Sequence, residues 1–494
     1  MLHGGNMKRY VLALMAMLCI AAIPLAAQAT PFPGLTRYTL DNGLEVFILE
    51  NHAVPLARIQ ITFRCGAITQ TPETAGLFHL YEHLLFKGNS KYKTETEFSA
   101  AMTDLGVSEW NGGTSTEYVT YYFTVPSSKL DAGIEFWSWA IREPLFDPEE
   151  LAIEKDVVVN EINAELGDPD HIYNAAMDKY MFSKFPWRRD VGGFEKAIRS
   201  ATPAVMRTIQ NTYYIPNNAA IFISGDVNPK TVLEMVKKWF GTWKKGADPW
   251  KKPLPPHPTP AVTKPLYLVI PDDSLPQGIA YMQISYRGPD VLADPAATYA
   301  ADVWGYLVDN PDGAFKNTIN DKVPGLYNKD YINAYYYTQR DGGQIFFSTY
   351  FFVNQNLPMA ERALKYFKPV VIDEVVKSIV SNPNYFARKE YDTVKAIMED
   401  HDLISLENPE GFMSTLSFWW SVASTDYYFG YVPNMKKVTQ KEIAAFLTKY
   451  VLNNTEIIVI RANPDDVAAE KKSLADAGFI TITEENAFWW RDAK

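Results

Sequence analysis

Thr202–Asn228 reads TPAVMRTIQNTYYIPNNAAIFISGDVN, and Thr439–Asn463 reads TQKEIAAFLTKYVLNNTEIIVIRAN. Each stretch opens on a Thr able to cap a helix, runs through one amphipathic helix to a Tyr and an Asn-Asn pair, and ends in an apolar β-rich run. The same order of elements twice predicts a duplication. Length alone, 494 residues, suggests three domains at about 150 residues each; the repeat reduces this to two related halves. Between them Asp248–Pro265 reads DPWKKPLPPHPTPAVTKP. Proline at that density blocks helix and sheet and favours an extended spacer. The chain therefore divides into residues 30–247, a linker at 248–265, and residues 266–494.

Within the first half, Leu40-Asp41-Asn42-Gly43-Leu44 marks a hairpin, and Ile59–Phe63 and Tyr118–Val125 read as strands. Gly76–Phe86 and Leu130–Ile141 read as helices, and Asp147-Pro148-Glu149-Glu150 opens another. Strands and helices come without a strict βαβ beat. The fold class expected is α+β: two homologous halves, each an α/β sandwich with a largely antiparallel sheet. Apolar residues at 47% and charged residues at 21% exclude a disordered or collagenous chain. A net charge of -11 argues against a nucleic-acid partner. Two cysteines, Cys19 and Cys65, exclude a disulfide framework, and Cys65 reads as a buried thiol.

The first 29 residues read as a secretory signal. Lys8 and Arg9 precede the apolar run Val11–Ile23, and Ala27-Gln28-Ala29 places small residues for cleavage after Ala29. A periplasmic or secreted location follows. Retained, the same segment would make the chain a membrane-anchored peptide-binding protein. The run is shorter than the roughly 20 apolar residues of a span and is broken by Pro24.

The chemistry concentrates in Gly76-Leu77-Phe78-His79-Leu80-Tyr81-Glu82-His83-Leu84-Leu85-Phe86. Of seven histidines in the chain, two lie four residues apart here, so they share a helical face. Glu82 sits beside His83. Two imidazoles and a carboxylate on one face suit a zinc ion, and a catalytic zinc needs a third protein ligand. The helix after Asp147 supplies Glu154, Glu161 and Glu165, among which spacing does not choose. Val158 between the first two predicts that this face packs inward, where a carboxylate needs a partner or a metal.

The motif H-x-x-E-H resembles that of the inverzincin metallopeptidases of the pitrilysin and insulinase type, above all the short-chain branch that includes the mitochondrial processing peptidases and their bacterial relatives. GLFHLYEHLLFKGNSKY, WNGGTSTEYVTYYF, PLFDPEELAIEKDVVVNEI and YYIPNNAAIFISGDV follow in that family's order. The resemblance is strong over Phe32–Trp243 and weaker over Leu266–Pro464. It implies one zinc per chain on His79, His83 and Glu161, with Glu154 orienting a ligand histidine. It makes Glu82 the general base and then acid of a zinc endopeptidase acting on unfolded or short peptides. It places Asn111, in the Trp110–Thr114 turn, against the substrate backbone. Gly112 departs from the small Ala usual after that Asn. The resemblance further implies that the two halves close like a clamshell around a peptide chamber.

The second half carries Ala300-Ala301-Asp302-Val303-Trp304 where the motif would fall, so it reads as a degenerate, non-catalytic copy. The family commonly presents an Arg, and six or seven residues later a Tyr, to the substrate carbonyl. Here Asn320 stands in place of the Arg, and Tyr327 is the substrate-binding Tyr. Losing one such donor costs on the order of 3 kcal/mol in a barrier. The expectation is a heterodimer whose partner, a related subunit without the zinc motif, supplies Arg and Tyr; a homodimer is the competing arrangement. Arg340 is an alternative donor, but as one arginine in a strand-like segment it reads as a surface residue. Tyr335–Tyr337, Phe418–Trp420 and Phe488–Trp490 could line a chamber for extended peptides, but read first as core and as packing between the halves. The rival from another class, a non-catalytic scaffold or assembly subunit of the same family, has a broken motif as its signature, and here the motif is intact.

Overall fold

In the computed structural model, which describes residues 28–353 and 356–492, each half is built on a six-stranded sheet. The first contains β1 (Leu35–Thr39), β2 (Glu45–Glu50), β3 (Leu56–Phe63), β4 (Glu109–Thr114), β5 (Val119–Pro126) and β6 (Ala219–Gly225). Their order is β1-β2-β6-β3-β5-β4, antiparallel except for the β2–β6 pair. The second contains β7 (Leu266–Pro271), β8 (Ile279–Arg287), β9 (Asn333–Tyr337), β10 (Gln344–Phe352), β11 (Ile457–Ala462) and β12 (Phe479–Thr481), in the order β12-β7-β11-β8-β10-β9. The apolar runs of the repeat are β6 and β11, which hold the same place in the two sheets. The duplication is incomplete at one edge. β1 enters through the Asn42-Gly43 hairpin and runs antiparallel to β2, whereas β12 arrives after β11 and runs parallel to β7. Gly43 takes φ 87°, the left-handed conformation that this turn requires.

Helices cover both faces of each sheet. On one face of the first lie α1 (Leu77–Leu85), α2 (Glu95–Leu105), α3 (Leu130–Arg142), α4 (Pro148–Glu165), α6 (Pro203–Tyr213) and α7 (Pro229–Phe240), while α5 (Pro169–Met181) follows α4 and leaves this layer. The period of two along β3 decides what meets what: Ile59 and Ile61 enter this core, and Gln60 and Thr62 point to the other face. That second face is covered by α10 (Pro409–Val422), a helix of the second half, whose Phe412, Leu416 and Trp420 pack on Phe47, Leu49 and Phe222. Ser417 of α10 bonds both Gln60 (2.9 Å) and Thr62 (2.8 Å). The second half repeats the arrangement. α8 (Pro295–Val308), α9 (Ala314–Lys322) and α11 (Gln440–Leu447) contribute to the core on one face of its sheet. On the other, α5 of the first half lays Ile172, Ala176 and Met177 on Leu268, Ile270 and Val459. Each half thus lends one helix to the other's sheet.

Several expectations change here. Residues 248–265 contain neither helix nor strand, yet they are no free spacer. The Trp250 indole donates to Arg64 O (3.1 Å) and Asn218 Oδ1 (3.0 Å), Arg188 donates to Pro255 O (2.6 Å), and His257 N–H donates to Asp341 (3.0 Å). Arg340 is not a surface residue: its guanidinium stacks on Trp250 and donates to Ser421 O (2.6 Å), while its backbone N–H donates to Glu117. The Trp110–Thr114 turn is instead the edge strand β4, paired in register with β5. Trp420 joins the halves, as expected of its cluster. Cys65 is free and fully buried, and burial raises its thiol pKa well above the ordinary value. The whole apolar run Val11–Ile23, with Lys8, Arg9 and Cys19, lies outside the described residues; Gln28 N–H donates to Arg37 O (2.9 Å). No helix among the described residues is long and apolar enough to cross a membrane.

Candidate metal centre

α1 starts at Gly76, whose φ of 83° and N–H bond to Gln70 (2.8 Å) turn the chain into the helix. Leu77, Leu80, Tyr81, Leu84 and Leu85 enter the core, leaving His79, Glu82 and His83 on the half-buried opposite stripe. α4 is launched by Asp147, which caps the N–H groups of Glu149 (2.8 Å) and Glu150 (3.2 Å), with Pro148 in the first turn. Leu151, Val158 and Val159 seat α4 against the core, and this packing brings one of its carboxylates to each histidine face.

His79 Nε2 and His83 Nε2 lie 3.3 Å apart. The carboxylate of Glu161 is 3.8 Å from His79 Nε2 and 3.6 Å from His83 Nε2. These three are the one group of such residues, among those described, able to converge on an ion. Two atoms bound at about 2.05 Å to a tetrahedral zinc lie roughly 3.3 Å apart. The imidazole pair meets that spacing and the carboxylate lies a few tenths of an ångström wider, so the residues fit the ion. Burial and the neighbouring His83 hold the His79 pKa down to about 4, keeping it a neutral donor.

Of the carboxylates that spacing left open, Glu154 takes the other side of the pair. Its side chain, 4% exposed, accepts from His83 Nδ1 at 3.0 Å and from Lys87 Nζ at 2.9 Å. Burial pushes the Glu154 carboxyl up, but those two donors outweigh it and hold it below the usual range. For His83, burial acts downward and is overcome by Glu154, Glu161 and Glu82, so it is raised. A proton on Nδ1, held toward Glu154, leaves Nε2 free for a metal. Glu165 lies one turn further on, 3.6 Å from His171.

Glu82 accepts a hydrogen bond from Thr114 Oγ1 of β4 at 2.7 Å. Burial raises its carboxyl, the Thr114 bond opposing this only in part. β4 crosses α1 so closely that a Cβ at Gly112 would fall 2.9 Å from the Phe86 ring and 3.2 Å from Glu82 Cγ, which accounts for glycine there. Asn111 is exposed on the same strand, its Oδ1 accepting from Gly112 N–H (2.9 Å). Tyr327, 42% exposed, follows α9; its ring packs on Tyr331 and Phe352 and its N–H donates to Tyr350 O (2.9 Å). Asn320 is exposed on α9. Lys87 and Thr114 escaped sequence reasoning. Lys87 carried a signal, one turn beyond His83 on the same face; Thr114 meets Glu82 only through tertiary packing. A cavity of about 1150 Å³ opens on the cluster, with His79 and Glu161 in its wall.

Residues 45–191 match the insulinase family, peptidase family M16, and residues 200–375 match the M16 inactive domain. The chain is 28% identical over 209 residues to the uncharacterised zinc protease YmxG of Bacillus subtilis, covering 42% of this chain and 50% of that protein. It is 26% identical over 258 residues to the probable mitochondrial-processing peptidase subunit beta of Arabidopsis thaliana, covering 52% and 48%. It thus spans about half the length of the curated relatives it matches. Among solved structures, the first half of the periplasmic protease PqqL from Escherichia coli superposes with TM-score 0.72 at 16% identity, over 92% of this chain and 96% of that one. Pitrilysin gives TM-score 0.72 at 15% identity, over 88% and 46%. The fold, the sequence profiles and the relatives agree, and the chain belongs to peptidase family M16, with two homologous halves of which the first carries the H-x-x-E-H helix.

Proposed function

We propose that this protein is a zinc-dependent endopeptidase that hydrolyses unfolded or short peptides, with one zinc held by His79, His83 and Glu161. The carrying observation is the convergence of those three side chains beside Glu82. When bound, the zinc supplies Lewis acidity, polarising a carbonyl and making water a stronger acid. Glu82 then takes the proton from the attacking water and delivers it to the leaving amine; its raised carboxyl suits both transfers. The Thr114 hydroxyl holds one oxygen of Glu82 in place. Glu154 fixes His83 through Nδ1. Asn111, on the open edge of the first sheet, is placed to meet an extended substrate backbone.

The chain acts as the catalytic subunit of a dimer. Asn320 stands where the resemblance expects an Arg, and neither it nor Tyr327 lines the cavity at the cluster, which supports a related partner subunit supplying Arg and Tyr, or else a second copy of this chain. Export to the periplasm or beyond is the location the N-terminal segment favours. The test is metal content and peptide cleavage, with Glu82→Gln beside the wild type. Zinc retained and cleavage lost in the variant supports the assignment; a folded wild type that takes up no zinc sinks it.

A further inference from the structure

β9 ends the second sheet as β4 ends the first, and α8 lies against β9 as α1 lies against β4. In the first half this corner holds the metal cluster. In the second it holds a cavity of about 360 Å³, with Asp302, Gly305 and Tyr306 of α8 on one side and residues 333–336 of β9 on another. Tyr431, in the short helix Tyr431–Met435, completes the lining. Gly305 leaves the wall open: a Cβ built there meets nothing within 4 Å.

The charge of this cavity is of one sign. Its charged lining is Asp302 and Asp309. Asp309 pairs with Lys316 at 2.8 Å. Asp302 accepts from the Tyr431 hydroxyl at 2.9 Å, and no Lys, Arg or His among the described residues pairs with it. Burial pushes its carboxyl up to about 7, the Tyr431 bond opposing this only in part. A carboxylate held so deep without a counter-charge is costly unless a cation reaches it. A metal ion needs several converging ligand atoms, and among the described residues only the cluster of the first half offers them. An organic cation asks less: one carboxylate, and aromatic rings to receive its charge and its methylene stem. Tyr306, Tyr335, Tyr336 and Tyr431 supply the rings. Tyr336 commits its hydroxyl to Pro289 O (2.8 Å), and Tyr335, 46% exposed, stands at the mouth.

We infer that this corner of the second half is a binding site for an alkylammonium group, with Asp302 as its counter-charge and the four tyrosines as its walls. The site stands independently of the peptidase reading. Two sources carry such a group, a free amine and a lysine side chain on a peptide. The test is saturation-transfer NMR titration at constant ionic strength with n-butylammonium chloride, the neutral n-butanol and the capped peptide acetyl-Gly-Lys-Gly-amide. The wild type should bind butylammonium about tenfold or more tightly than butanol, the difference a charge-assisted contact supplies. Asp302→Asn keeps an acceptor for Tyr431 and should remove that difference. Gly305→Leu extends a side chain into open space and should abolish binding of both, with circular dichroism as the check on the fold. Should Asp302→Asn fail to fold, Gly305→Leu with the butanol comparison decides. Peptide bound more tightly than butylammonium assigns the site to a lysine side chain, peptide bound more weakly assigns it to a free amine, and either supports the site. Butylammonium bound no better than butanol by the folded wild type, or bound equally well by folded Gly305→Leu, overturns it.

Discussion

Replacing Glu154 by Gln changes one oxygen to an amide nitrogen at a side chain 4% exposed, so the shape is kept and only the hydrogen-bond polarity alters. The carboxylate accepts from two donors, His83 Nδ1 at 3.0 Å and Lys87 Nζ at 2.9 Å. An amide has one acceptor oxygen, so it serves one donor and turns its NH2 toward the other. Lys87 carries three N–H bonds and a full charge and claims the oxygen; the NH2 then faces His83 Nδ1. That makes Nδ1 the acceptor and moves the imidazole proton to Nε2, the atom that must stay bare to bind zinc. Loss of an outer-shell partner of this kind typically weakens metal binding 10- to 100-fold, about 1.4–2.7 kcal/mol. The assay is competition for zinc against a chromophoric chelator at neutral pH, with circular dichroism and thermal melting as checks on the fold. A folded Glu154→Gln variant binding zinc within twofold of the wild type would refute the role given to Glu154, and with it the tautomer argument.

Gly76→Ala would place a Cβ 2.3 Å from Gly192 O at a φ of 83°. Left-handed strain plus overpacking should cost roughly 2–5 kcal/mol in urea denaturation, and a loss under 1 kcal/mol would contradict the tight turn into α1. Trp420→Ala removes a side chain 1% exposed, an indole bond to Glu45 (2.7 Å) and the stack under Arg64. It should destabilise by about 3–5 kcal/mol, and a near-neutral change would mean that α10 does not hold the halves together. Burial raises Glu117 from an ordinary 4.5 to about 7, its bonds from the Arg340 and Asp341 N–H groups offsetting only part of this. The folded chain thus binds a proton that the unfolded chain releases earlier. Glu117's contribution to stability is full below pH 4.5 and lost as pH rises towards 7; melting temperatures across that window should fall less steeply in Glu117→Gln than in the wild type.

What was legible in the sequence was local. The cap, helix and apolar run of Thr202–Asn228 and Thr439–Asn463 located β6 and β11, because capping and periodicity act over a few residues. The His79–His83 pair was readable for the same reason, its spacing being one helical turn. The choice among Glu154, Glu161 and Glu165 was not, since all three lie on α4 and only its packing against α1 sorts them. Trp110–Thr114 was misread because Gly112-Gly113 has the composition of a turn; the register with β5 makes it a strand, and the closeness of Phe86 and Glu82 makes Gly112 necessary. Arg340 looked like a lone surface charge because its partners, Glu117 and Trp250, lie far away in sequence. The apolar faces of α5 and α10 were not read from the sequence, and nothing local in either segment signals that it is meant for the other half's sheet.

That exchange bears on why a half without metal ligands persists. The face of the first sheet away from α1 carries Phe47, Leu49 and Phe222, and α10 is what buries them. Without it the sheet that supports α1 would expose a contiguous apolar surface of the kind that drives association. In return, α4, which carries Glu154 and Glu161, ends at Glu165 and is followed at Pro169 by α5, the helix laid on the second sheet. The position of Glu161 relative to the histidines is therefore set from two directions: by the packing of α4 on α1, and by the seating of α5 on β7 and β11. The second half carries no H-x-x-E-H at the matching stretch, Ala300–Trp304, while the three side chains of the first half still converge. It cannot lose the surfaces that receive α5 or supply α10. Substitutions at Leu268, Val459 or Leu416, in the second half's sequence, should accordingly lower zinc affinity along with stability, whereas substitutions at the exposed Asn320 should leave both unchanged.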